Sequence, residues 1–295
     1  MTEKILARNI LKTEATLGEG PWWDPAEKVL WWIDIEQGLV NRFDPNQGTN
    51  QKFKIGQRVG TVVRREGGGL MLALANGLAT FDPNSELLEF LCDPEANLPD
   101  NRFNDGKCDP EGRFWAGTMN LDPANHTTGA LYSLDGRQQV RKHLAEVGVS
   151  NGIVWSGDAR TMYYVDSQTG TIDAFDYQRQ SGDLSHRRAI FEVPADLGCA
   201  DGMAIDAEDK LWVAFWGGWC VARIDPAGGQ LLGRIELPVA HVTACAFGGE
   251  DLRDLYITTA RHGLDRAAQA EQPQAGDLFV ARTDVSGLAP FNFRG

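Results

Sequence analysis

Short runs of Trp, Val, Ile, Tyr and Phe, punctuated by Gly, Asn and Asp-Pro, dominate the chain, and no long helical period stands out. One stretch shows the unit. Cys199-Ala200-Asp201-Gly202-Met203-Ala204-Ile205-Asp206 sets a carboxylate before a glycine, with apolar Met203 and Ile205 alternating after it. The alternation resumes at Leu211 and Val213, which predicts a half-buried strand entered through an Asp-Gly turn and followed by a second strand. The phrase recurs in phase. Aligned on the strong apolar run, the copies are Leu30-Trp31-Trp32-Ile33-Asp34, Leu70-Met71-Leu72-Ala73-Leu74 and Arg113-Phe114-Trp115-Ala116-Gly117. Then come Met162-Tyr163-Tyr164-Val165-Asp166, Leu211-Trp212-Val213-Ala214-Phe215 and Leu255-Tyr256-Ile257-Thr258-Thr259. They lie roughly 40 to 50 residues apart, the period of a four-stranded propeller blade. Several copies continue into a third strand of one type: Asn41-Arg42-Phe43-Asp44-Pro45, Ala79-Thr80-Phe81-Asp82-Pro83 and Ala222-Arg223-Ile224-Asp225-Pro226, with Ala174-Phe175-Asp176-Tyr177 in the same slot.

Six copies in one phase predict an all-β fold, a six-bladed β-propeller formed by residues 1–295 as a single domain. Two stacked β-sandwiches would require neither the common phase nor the common length. Residues 5–16 precede the first repeat and are expected to donate a strand to the last blade, closing the ring and hiding its edges.

The first strand of a propeller blade lines the central channel, so equivalent entrance positions meet at one end of it. Here they read Glu19, Gly60, Asn104, Asn151, Asp201 and Thr243. Two carboxylates and two amides on one small ring make an all-oxygen site for a hard divalent cation. Taken singly, Asx-Gly pairs are turn formers. As a set the turn reading weakens, because Glu19 is a poor turn former and Gly60 and Thr243 occupy the same phase. Oxygen ligands accept Ca, Zn, Mn or Mg, and the residues do not choose among them. The five histidines, at 126, 143, 186, 241 and 262, show no ligand spacing.

Composition narrows the field further. A formal net charge of -13 argues against nucleic acid, which needs a basic face. The odd, scattered cysteines (Cys92, Cys108, Cys199, Cys220 and Cys245) carry no CxxC pair and are expected to be reduced thiols, mostly buried, in a cytoplasmic protein. The first residues lack a long apolar stretch, so no signal peptide is expected, and nothing approaches the ~18 apolar residues of a membrane span. A monomer or weak dimer is expected. Neither a G-x-S-x-G elbow, a Walker A loop nor H-E-x-x-H occurs. Trp22, Trp23, Trp31, Trp32, Trp212, Trp216 and Trp219 are candidates for a sugar-stacking face, with packing between blades as the commoner use of such residues.

At Asn101-Arg102-Phe103-Asn104-Asp105-Gly106-Lys107 the chain resembles a known family. Ala116-Gly117-Thr118-Met119, Gly129-Ala130-Leu131-Tyr132-Ser133, Ser150-Asn151-Gly152, Asp201-Gly202-Met203-Ala204-Ile205-Asp206-Ala207 and Cys245-Ala246-Phe247-Gly248-Gly249 extend the likeness over nearly the whole length. The resemblance is to the regucalcin (senescence marker protein)/gluconolactonase family, six-bladed propeller lactonases with one divalent cation on the channel axis. It implies metal ligands at Glu19, Asn151 and Asp201, and substrate contacts from Arg102, Asn104 and Asp122. At Asp122 the family usually has Glu, and residues 120–128 match its lid. The implied activity is metal-dependent hydrolysis of sugar lactones such as glucono-1,5-lactone to aldonic acids. Asp201 is the candidate general base, because a carboxylate at the metal can direct and deprotonate water. A non-catalytic calcium-binding propeller, and a propeller esterase or phosphotriesterase, are the alternatives.

Overall fold

A computed structural model describes residues 5–122 and 127–295. Its strands form six four-stranded antiparallel sheets. The channel-lining strands, one per sheet, are β2 (Gly18–Asp24), β6 (Val59–Arg64), β10 (Asn101–Cys108), β14 (Ser150–Trp155), β18 (Cys199–Ile205) and β22 (Val242–Gly248). Each touches the next all the way round, β22 returning to β2, so the sheets are the blades of a closed six-bladed propeller. The six aligned runs are the second strands: β3 (Val29–Asp34), β7 (Leu70–Leu74), β11 (Phe114–Asn120), β15 (Thr161–Asp166), β19 (Leu211–Trp216) and β23 (Asp254–Thr259).

Burial explains why these runs were so apolar. A blade lies between two others, so both faces of its second strand are covered and alternation disappears: every residue of β3 and β7 is buried. The fourth strands sit at the rim, and β5 (Thr49–Lys54) and β9 (Leu87–Cys92) leave most side chains exposed or half-exposed. The Asp-Pro signals cap the hairpins from third strand to fourth. Asp44 Oδ1 accepts from the backbone N–H groups of Asn46 and Gln47 at 2.9 and 3.1 Å, and Asp82 Oδ1 does the same for Asn84 at 2.9 Å. Ring closure follows the sequence expectation. β1 (Arg8–Leu11) pairs antiparallel with β24 (Leu278–Arg282) and supplies the outer strand of the last blade.

The tryptophans divide. Trp22, Trp23, Trp31, Trp32 and Trp212 are buried as packing between blades, Trp216 is half-buried, and Trp219 is 44% exposed. Among the described residues no helix is long and apolar enough to cross a membrane.

Because the ring is closed, damage to one blade is felt by the whole. Ile257, fully buried on β23, is a direct probe. Ile257→Ala should cost about 2–5 kcal/mol. Urea denaturation followed by far-UV circular dichroism and by tryptophan fluorescence should show one coincident, earlier transition.

Candidate metal centre

Every channel-lining strand is irregular at the same place. Pairing with the second strand breaks between Glu19 and Trp22 in β2, Val59 and Thr61 in β6, and Phe103 and Gly106 in β10. It breaks again between Ser150 and Ile153 in β14, Ala200 and Met203 in β18, and Val242 and Ala244 in β22. A bulge leaves a residue unpaired and re-aims its side chain. Six bulges in phase gather such residues at one level of the channel. Blade 2 contributes Gly60, where a Cβ would stand 2.5 Å from the Phe103 carbonyl oxygen. Blade 6 contributes Thr243, whose hydroxyl donates to the Gly18 carbonyl at 2.6 Å.

Three of the other four blades bring charge, and the fourth brings the Asn151 amide. Glu19, Asp105 and Asp201 are each at most 6% exposed and lie close enough to perturb one another. Burial pushes the Glu19 carboxyl up to about 8, and the Asp105 carboxylate adds to the effect. Asp201 is raised well above the usual carboxylate range by burial first, then by Glu19 and Asp105. Burial also raises Asp105, while the Lys107 ammonium and the Gly106 N–H act against it. Three acids confined this way cannot all ionise without a counter-charge.

Asp105 joins the cluster as a residue the sequence reading did not single out, while Asn104 holds the unpaired place in β10 that Asn151 and Asp201 hold in β14 and β18. Asp105, not Asn104, directly precedes the glycine, and its Oδ1 accepts from the Gly106 N–H at 2.7 Å just as Glu19 Oε2 accepts from Gly20 at 2.7 Å. Gly20 has φ +53°, the left-handed region where a side chain is disfavoured. Direct precedence to glycine, shared by Glu19, Asn151 and Asp201, was the signal in the sequence. Asn104 ties Arg102 to the next blade. Its Oδ1 accepts from Arg102 Nη1 at 2.6 Å and its Nδ2 donates to the Ser150 carbonyl at 2.8 Å. Arg102 also donates to the Phe103 carbonyl at 3.0 Å, while its buried Nε has no partner among the described residues. Burial lowers the guanidinium to about 10, so it stays cationic at neutral pH. Arg102 further lines a cavity of about 310 Å³ with Glu95, Leu98, Asn101 and Thr118.

The strand starts are clamped from the blades. Asp34, ending β3, accepts from the N–H groups of Thr16 and Leu17 at 2.8 and 3.2 Å, just ahead of Glu19. Asp166, ending β15, accepts from Gly148 and Val149 at 2.8 and 2.9 Å, just ahead of Asn151. Asp122 stands exposed on the loop after β11, at this same end of the channel, its N–H donating to Asn120 Oδ1 at 2.7 Å. Within the proposed lid, residues 123–126 lie outside the described residues.

These residues fit a hard cation. Asn151 Oδ1 and Asp105 Oδ2 are buried and have no hydrogen-bond partner among the described residues, beside carboxyls whose pKa values burial raises. Oxygen donors without protons to satisfy them are what Ca or Mg coordination uses. Among the described residues no three His, Cys, Asp or Glu side chains stand as a ready-made cage. The far end of the channel is different in kind. An apolar cavity of about 80 Å³ opens there, lined by Trp22, Trp155, Phe247 and Phe291 with Lys107 at its inner side, and it holds no carboxylate.

A family model described as the SMP-30/Gluconolactonase/LRE-like region matches residues 17–261. The chain belongs to this family. Regucalcin of Danio rerio is 40% identical over 288 residues, covering 97% of both chains, and regucalcin of Xenopus laevis is 39% identical over 284 residues, covering 95% of both. Among solved structures, the regucalcin of Agrobacterium tumefaciens, described as a calcium-binding protein, superposes with a TM-score of 0.94 at 29% identity, covering 99% of this chain and 98% of that one. The SMP-30/gluconolactonase fold therefore extends through β1 and β24, beyond the residues that the family model matches.

The raised carboxyls give a stability signature. Glu19 has a folded pKa of about 8 against an ordinary 4.5, so between these values the folded state holds more protons than the unfolded one. Stability of chelated protein should be full below about pH 4.5 as far as this group is concerned and be lost as pH rises towards about 8. Differential scanning calorimetry in chelator should show this fall, and adding a divalent cation at pH 8 should reverse it. A chelated protein whose melting temperature is no lower at pH 8 than at pH 5 would contradict the burial of these acids.

Proposed function

We propose that this protein is a divalent-metal-dependent lactonase that hydrolyses sugar lactones, such as glucono-1,5-lactone, to aldonic acids. One observation carries the reading: a cationic, buried Arg102 stands beside the carboxyl cluster, near enough to feel the charges of Glu19 and Asp201, and donates to Asn104. A cation store has no need of a guanidinium held at the same site. A lactonase does, because its ester oxygens gain negative charge during hydrolysis and its product is an anion.

Glu19, Asn151 and Asp201 would hold the metal, with Asp105 completing the charge around it. When bound, a divalent cation supplies Lewis-acid polarisation of the lactone carbonyl. Asp201 takes the proton of the attacking water at a carboxylate oxygen. Arg102, through the Nε and the N–H positions not used by Asn104, donates to the lactone oxygens and steadies the charge that collects there. The acyl C–O bond of the ring then breaks, the ring oxygen keeps the electron pair, and the proton held on Asp201 passes to it. The resulting acid loses its proton to solvent, so each turnover releases one proton. Asp122 serves a distal hydroxyl of the sugar, and its shorter side chain sets preference among lactones. The protein is proposed to act in the cytoplasm as a monomer or weak dimer, with no nucleic-acid or membrane partner.

A proton-release assay over a panel of aldonolactones, with single metals returned to chelated protein and spontaneous opening subtracted, tests this. Asp201→Asn should lower both metal affinity and turnover. Arg102→Ala should retain the metal and lose about ten- to a hundredfold in kcat/KM, the ~1.5–3 kcal/mol of a charge-assisted hydrogen bond. Wild-type protein that binds a divalent ion yet shows no turnover above background would favour a calcium-binding propeller, the description given to the Agrobacterium tumefaciens relative.

A further inference from the structure

Ser167 follows β15 in blade 4 and is neither acidic nor in any repeat phase. Its hydroxyl oxygen lies 2.6 Å from the Ala200 carbonyl oxygen in blade 5 and 3.0 Å from Asn151 Nδ2 in its own blade. A serine hydroxyl has a single proton. A peptide carbonyl accepts and never donates, so that proton goes to Ala200. What remains on the Ser167 oxygen is a lone pair, and towards Asn151 it can only accept. The amide group answers with Nδ2, its one donor atom. Flipping the amide would set two acceptors 3.0 Å apart and forfeit the bond.

The direction imposed on Nδ2 decides where the other half of the amide points. Nδ2 is committed to Ser167, and the Asp201 carboxyl lies close by, near enough for the Asn151 side chain to lower its pKa. Oδ1 is then the atom left over, buried and with no partner among the described residues. Asn151 is 5% exposed, so water does not make up the loss from open solvent. The same hydroxyl holds the peptide immediately before Asp201, so one small group registers the side chain of blade 4 against the backbone of blade 5.

We propose that Ser167 is a positioning residue for the candidate metal centre, whose hydroxyl orients the Asn151 amide so that its carbonyl oxygen is presented to a divalent cation. The inference rests on the metal-dependent reading above and assigns a role to a residue outside the expected ligand set. Outer groups that hold a ligand's other atom commonly contribute ten- to a hundredfold in metal affinity.

Titration calorimetry of chelated protein with calcium and with magnesium tests it, alongside the melting temperature of the chelated samples. Ser167→Ala should weaken divalent binding about tenfold or more while the chelated protein melts within a few degrees of wild type. Ser167→Thr, which keeps the hydroxyl, should recover most of the lost affinity. In an Asn151→Ala background, where no amide is left to orient, Ser167→Ala should have little further effect. Ser167→Ala that binds as tightly as wild type overturns the proposal, as does an equal loss in the Asn151→Ala background, which would assign the effect to the backbone tie at Ala200. Wild-type protein that binds neither ion defeats the metal reading itself, and this inference with it.

Discussion

Three carboxyl groups buried together at one level of a channel are the constraint on which the rest of this structure depends. Glu19, Asp105 and Asp201 repel one another, and burial removes the water that would screen them. A chain left to itself would relax such a cluster by moving its loops apart. Here each acid sits in a strand bulge, and each bulge belongs to a blade whose second strand is packed on both faces. The ring is closed by β1, so no blade can swing outward without losing contacts with both neighbours. The apolar packing between blades therefore holds the acids in an arrangement that protons or a cation must compensate.

Charge balance around the cluster is similarly built in. Lys107, on the same strand as Asp105, opposes the upward pKa shift of both Glu19 and Asp105 and donates to the Met203 carbonyl just after Asp201. Arg102 is held at the edge of the cluster by the Asn104 amide. Glu36, Glu19 and Asp201 offset part of the cost of desolvating its guanidinium, which is what allows it to be buried.

Much of this was legible before any coordinates. Blade number and strand identity followed from the spacing of runs such as Leu30-Trp31-Trp32-Ile33 and Leu211-Trp212-Val213-Ala214, because burial on both faces leaves a compositional mark that is local in sequence. Glu19, Asn104, Asn151 and Asp201 stood out for a related reason: each is followed within two residues by a glycine, and a common phase in the chain becomes a common level in the channel. The family resemblance narrowed the expected ligands to Glu19, Asn151 and Asp201. What the chain did not show was Asp105, whose carboxyl joins Glu19 and Asp201 only once the strands are packed together.

The sequence by itself thus determined the repeat, the blades and the residue types that reach the channel end, since all of these depend on neighbours along the chain. The tertiary structure alone decided which polar groups share that space and how each is turned. Ser167 and Lys107 carry no repeat phase with the residues they serve, and they act across strands or from another blade. Hydrogen-bond direction is a property of pairs in space, so the orientation of the Asn151 amide is recorded nowhere in the chain until the blades have closed around it.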